Sequence, residues 1–301
     1  MNTTAKAFER KNEMLHITLK GGLVRVLLAD TTLLTQEAAD IHGLTPVATA
    51  AIGRLLTGTA MLCADMKDEN TSVTVQFKGG GPMGTLCAVG HGGELKAYAD
   101  NPQVVLPLKE NGKLDVGGAV GKEGHISVIR DAGFGEPYVG RAELMSGEIA
   151  EDFAAYFTLS EQQPSIVSLG VLVSGEAVLA AGGILIQPLP GCPDEVLDEL
   201  ELRSPLFQDI SREMTFAPIE ELMQDWFRDM EPVILSKKEL SYRCGCSRER
   251  MEKALIALGK KELQEMIADG NGAELTCHFC RNRFSFDTAN LKTLLEQATR
   301  D

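Results

Sequence analysis

Two short stretches, Tyr242-Arg243-Cys244-Gly245-Cys246-Ser247-Arg248 and Glu274-Leu275-Thr276-Cys277-His278-Phe279-Cys280, decide how the chain is organised. They set a C-x-C pair and a C-x-x-C pair thirty residues apart. Two sulfurs from one tight turn can reach one ion, and two such turns complete a tetrahedral shell of four thiolates. Zn–S distances of about 2.3 Å demand that closeness. Gly245 frees the backbone between the first two sulfurs. The four cysteines Cys244, Cys246, Cys277 and Cys280 are therefore expected to hold one zinc per reduced chain. His278 is read as a neighbour that tunes thiolate charge, and Arg243, Arg248 and Arg281 as counter-charges for the site. The same four residues suit a structural clip or a redox switch, because paired thiolates that oxidise locally release their metal.

Outward from this motif the chain falls into three parts. Residues 237–301 carry twelve basic and ten acidic residues, with helices expected over Arg248–Gly259, Lys260–Ala268 and Thr288–Ala298. They form a small C-terminal zinc-binding domain. Residues 191–236 carry twelve acidic and three basic residues, yet Leu197, Leu200, Leu206, Phe207 and Ile210, then Ile219, Leu222, Met223, Trp226, Phe227 and Met230, recur at helical spacing. These are amphipathic helices with an acidic outer face, read either as an ordinary pair of surface helices or as an acidic amphipathic helical linker in which Leu222, Trp226 and Phe227 are expected to latch onto an apolar face. Residues 1–190 are rich in glycine and β-branched runs, with strands expected at 23–28, 72–77, 85–89, 95–99, 126–130, 166–173 and 178–186. Helices are expected at 31–41 behind an Asp30 cap, 46–66 behind Pro46, and 146–159 behind Ser146. Strands mixed with few helices indicate an α+β fold.

Composition bounds the function. The chain has 301 residues and a formal net charge of −14, which argues against a nucleic-acid binder and against docking on anionic membranes. Met1–Lys20 has no apolar core of a signal peptide, and no apolar run of about 18 residues occurs. A cytoplasmic protein is expected. Cys63, Cys87 and Cys192 are isolated and are expected to stand outside the metal site. Gly79-Gly80-Gly81-Pro82-Met83-Gly84 matches a nucleotide-loop pattern only formally. Pro82 removes an amide donor and a strand follows, so it is read as a hairpin connection. The Glu148/Glu151/Asp152 cluster is read as charge at a helix N-terminus. Asn2 and Asn70 open glycosylation triplets without meaning in the cytosol. No catalytic constellation is present, so the chain is not expected to be an enzyme. A zinc-ribbon nucleic-acid module around Arg281, Arg283 and Lys292, and a thiol oxidoreductase using Cys277 and Cys280, are the competing readings.

The cysteine stretches, with Leu258-Gly259-Lys260, closely resemble the redox switch of the 33 kDa chaperonin family, the redox-regulated heat-shock holdases of bacteria. Gly79–Gly84, Tyr98-Ala99-Asp100-Asn101-Pro102, Ser146–Phe153, Ser160–Ser165 and Gly182–Gly191 are similar to its N-terminal signatures. The resemblance implies an ATP-independent chaperone, inactive while reduced and zinc-bound. It implies that oxidation pairs Cys244 with Cys246 and Cys277 with Cys280, that zinc leaves, and that the linker unfolds. It further implies that the protein then binds unfolding client proteins, typically as a homodimer.

Overall fold

A computed structural model describes residues 8–66 and 71–298; the triplets at Asn2 and Asn70 lie outside the described residues. The elements run β1 (Glu13–Leu19), β2 (Val24–Asp30), α1 (Thr32–His42), α2 (Pro46–Leu62), β3 (Ser72–Lys78), β4 (Thr85–His91), β5 (Glu94–Ala99), α3 (Val116–Val120), β6 (His125–Asp131), β7 (Tyr138–Glu143), α4 (Ala150–Leu159), β8 (Ile166–Ser174) and β9 (Ala177–Pro188). They continue with α5 (Asp194–Arg203), α6 (Ile210–Glu213), α7 (Ile219–Phe227), β10 (Val233–Glu239), β11 (Ser241–Tyr242), α8 (Arg248–Leu258), α9 (Lys260–Asp269), β12 (Ala273–Thr276), β13 (Arg283–Phe286) and α10 (Thr288–Gln297). The fold is α+β. The chain divides into two compact units, one ending at Arg243 and one beginning at Cys244.

The first unit is built on two sheets. One has the order β10-β1-β2-β9-β8, the other β11-β5-β4-β3-β6-β7. Strict alternation along β3 and β5 buries every second residue, as expected of strands with one face on the core. From Ala180 to Gln187, β9 is buried on both faces. On one side it meets the core that holds α2, and on the other a second core formed with α5–α7. Helix α2 starts at Pro46 and is buried along almost its whole length. Its glycines permit that. A Cβ at Gly58 would lie 2.2 Å from the Phe153 ring, and one at Gly53 would lie 2.6 Å from Thr35. The Gly79–Gly84 segment is the β3–β4 hairpin connection.

Several expectations need correction. Helix α4 begins at Ala150, not Ser146, because the Asp152 carboxylate collects the backbone amides of Met145, Ser146 and Ile149 (2.7, 3.1 and 3.0 Å). That folds the preceding residues into a loop, with Ile149 held at φ +67°. Asp30 ends β2 and caps from one position earlier, accepting from the Thr32 amide at 2.9 Å. Glu148 is not a dipole charge. It accepts from Arg54 at 2.8 Å and from Lys109. Leu206 is 47% exposed and leaves the linker stripe. Strands β1, β7, β10, β11 and β13 stand outside the expected strands. The compact boundary falls seven residues past position 236, because β10 pairs with β1 and β11 with β5. Lys237, Lys238 and Glu239 made β10 read as polar tail, yet edge strands tolerate charge.

Candidate metal centre

The second unit gathers three helices and a hairpin around Leu255, Leu263, Phe286, Leu291 and Leu294. Ser247 caps α8, its hydroxyl accepting from the Arg250 amide, so Cys244 and Cys246 lie in the irregular stretch just before a helix start. Cys277 and Cys280 flank the turn that joins β12 to β13. That turn is closed by the Arg281 amide donating to the Cys277 carbonyl at 2.9 Å and the Cys277 amide donating to Asn282 at 2.8 Å. Arg281 takes φ +60° to allow it. A tight hairpin turn is a different setting from the βαβ of a thioredoxin-like centre.

These two segments bring the four sulfurs of Cys244, Cys246, Cys277 and Cys280 within 4.8 Å of one another. Two close approaches cross between the pairs, Cys244 to Cys277 at 3.6 Å and Cys246 to Cys280 at 3.3 Å. A tetrahedron with Zn–S bonds of about 2.3 Å has sulfur–sulfur edges of about 3.8 Å, so the donor set fits a zinc ion. All four are free thiols here. Burial raises the Cys244, Cys246 and Cys280 thiols. Burial acts on Cys277 too, but the amides of Cys280 and Phe279 and its sulfur neighbours outweigh it and lower that thiol. Among the described residues no other group of three or more potential ligands converges.

Two of the three expected counter-charges, Arg243 and Arg248, are committed elsewhere. Arg248 donates to the Ser285 carbonyl and to Asn290, both at 3.0 Å, and stacks over the Phe286 ring at 4.3 Å. Arg243 pairs with Glu94 at 3.0 Å. Cys63 and Cys87 are buried and Cys192 half-buried, all outside the cluster. The latch residues Leu222, Trp226 and Phe227 are buried against β1, β2 and β9. Their centre includes Phe207, which sequence reasoning placed in the stripe but not in the latch. Its ring lies 5.2 Å from Trp226 and 5.6 Å from Phe227.

Comparison with known proteins places this geometry. The Hsp33 protein family model matches residues 12–287. The 33 kDa chaperonin of Ruminiclostridium cellulolyticum is 42% identical over 94% of this chain and 98% of its own. That of Thermoanaerobacter sp. (strain X514) is 44% identical over 91% and 95%. The crystal structure of the 33 kDa chaperonin (heat shock protein 33 homolog) of Thermotoga maritima superposes with a TM-score of 0.89 at 33% identity. It covers 97% of this chain and all of that one.

Proposed function

The chain belongs to the Hsp33 family of chaperonins, and from that premise we propose that it is an ATP-independent holdase switched by cysteine oxidation. The observation that carries this reading is the convergence of Cys244, Cys246, Cys277 and Cys280 from two distant segments onto one point. When bound there, zinc supplies a cross-link that holds those segments together. Oxidation by a peroxide-class oxidant pairs Cys244 with Cys246 and Cys277 with Cys280. Each new S–S bond takes two electrons from a pair of thiolates, and with two protons from solvent these reduce one peroxide ROOH to ROH and water. Sulfurs paired in this way no longer hold a metal.

The 191–236 segment then melts from its sheet. Its −9 charge favours the solvated state once the C-terminal unit loosens. The apolar face of β1, β2 and β9 that it covers, including Ile17, Val26 and Ile184, becomes available to unfolding client proteins. The oxidised form is a homodimer acting in the cytoplasm, without nucleic acid or membrane as partner and without catalytic turnover. Among the described residues no helix is long and apolar enough to cross a membrane.

The test is suppression of aggregation of a thermally unfolding client, before and after peroxide treatment, with zinc release followed in parallel by a colorimetric chelator. Suppression that appears only after oxidation, in step with release of about one zinc per chain, is the expected result. Equal suppression by the reduced and oxidised forms would overturn the switch.

A further inference from the structure

Strand β10 lies at the edge of its sheet, paired only with β1. Its neighbour β1 is a core strand in all but position. Leu15, Ile17 and Leu19 are fully buried and Met14 nearly so. What β10 contributes to that core is slight. Ile234, opposite Ile17, is its one side chain packed against the inner cluster. Val233 and Leu235 are 54% and 58% exposed. Lys237 stands opposite the fully buried Leu15 and reaches outward to Glu220. The ladder is also broken between His16 and Ile17, where Leu235 is the extra residue. The pairing is therefore carried mainly by main-chain hydrogen bonds, which do not depend on sequence.

We infer that the edge of β1 is a docking site for an extended, apolar segment of an unfolding protein, which adds as a strand, and that β10 occupies this site in the resting molecule as an internal stand-in. The inference rests on the holdase reading. Melting that runs on from the linker through Glu239 removes all of β10 and frees the edge of β1 from Glu13 to Thr18. It leaves unpaired an edge whose inward positions are apolar. The occupant is an extended chain because the present occupant is one. It is apolar because a branched or aromatic residue opposite Leu15 pairs better than Lys237 does. Such a site takes many sequences, as a holdase requires, and only an unfolded partner presents an extended strand to it.

Two variants of the full chain pull in opposite directions. Lys237→Val should tighten the stand-in and slow the onset of aggregation suppression after peroxide by up to about fivefold, the range of a cross-strand pair. Ile234→Thr should loosen it and hasten onset by a similar factor. Glu220→Gln, which removes only the exposed ion pair, should change the rate less than either. Amide exchange read by mass spectrometry then follows the strands. Those amides of residues 13–19 that face β10 rather than β2 should be protected in reduced protein, exposed after peroxide, and protected again with a chemically unfolded client, while 233–239 stays exposed. The inference fails if 13–19 never loses protection, or if 233–239 is re-protected with it. It also fails if 13–19 is re-protected without client as protein concentration rises, which would make a second copy of the chain the occupant. Client suppression is measured on the same samples. Its absence removes the holdase reading and the inference together, whereas suppression without exposure of β1 removes the inference alone.

Discussion

Seven cysteines share this chain and differ in environment rather than chemistry. Burial pushes the Cys63 thiol up to about 12 and the Cys87 thiol up to about 11, so neither offers thiolate at neutral pH. In native, metal-free protein, iodoacetamide should label the four tail cysteines and spare Cys63 and Cys87 on the same timescale, as read by peptide mass. Replacing Cys63, Cys87 and Cys192 together with Ala should leave oxidative activation intact. Loss of activation with zinc still bound would place one of them in the switch. Glu148 presents a second residue-scale case. Burial would raise its carboxyl, but hydrogen bonds from Lys109 and Arg54 prevail and lower it. A lowered folded-state value means stability that is present above the ordinary glutamate value of about 4.3 and is lost as pH falls through the folded value. Glu148→Gln should therefore cost about 1–2 kcal/mol at pH 7. In urea melts, its difference from the parent chain should shrink below about pH 4.

At the scale of the element, α7 is the decisive helix. All five of its apolar residues, Ile219, Leu222, Met223, Trp226 and Phe227, are buried, while Glu221, Gln224 and Asp225 face water. Each large side chain contributes roughly 1.5–3 kcal/mol by burial, against ordering entropy of about 1–2 kcal/mol per residue. A releasable latch requires these opposing contributions to leave a small net hold. Phe227→Ala, which opens a void beside Phe207 and Trp226, should cost about 3–5 kcal/mol locally. That exceeds the margin, so Phe227→Ala and Trp226→Ala should suppress client aggregation while reduced and still zinc-bound. In the parent chain Trp226 emission should shift to the red on oxidation. Variants that stay silent when reduced, with no change in Trp226 emission on activation, would make the segment a passive spacer.

For the whole molecule, the two compact units differ in what holds them. The unit ending at Arg243 has two sheets and two large apolar cores. The unit beginning at Cys244 has five fully or nearly fully buried side chains in its core, too few to stand alone at that size. Structural zinc contributes binding free energy of about 10–16 kcal/mol to folding in small domains. Removing zinc from reduced protein with a strong chelator should therefore unfold residues 244–298 and release the 191–236 segment as oxidation does, while the rest of the first unit stays folded. Far-UV circular dichroism should show loss of the helical signal of α8–α10, and amide exchange should stay slow in β2–β9. Elemental analysis of reduced protein with no bound zinc would remove the premise.

The sequence by itself determined the two cysteine pairs, because spacing is a local property: Cys244 and Cys246, like Cys277 and Cys280, must lie close whatever the rest of the chain does, whereas the meeting of the two pairs is a property of the fold. It determined the α+β class and the buried stripe of α7 as well, since alternation and helical periodicity are written along single segments. The resemblance to the chaperonin family was legible in short motifs for the same reason. Only the tertiary structure decided where β10 belongs, because an edge strand need bury just one face and its lysines read as tail. It alone decided that Asp152 gathers the amides ahead of α4, that Glu148 meets Arg54 and Lys109, and that Phe207 packs against Trp226 and Phe227. Arg54 and Lys109 reach Glu148 across 94 and 39 residues, separations that chain packing closes and no local pattern encodes, and the amides that Asp152 gathers follow from a loop whose path the packing sets.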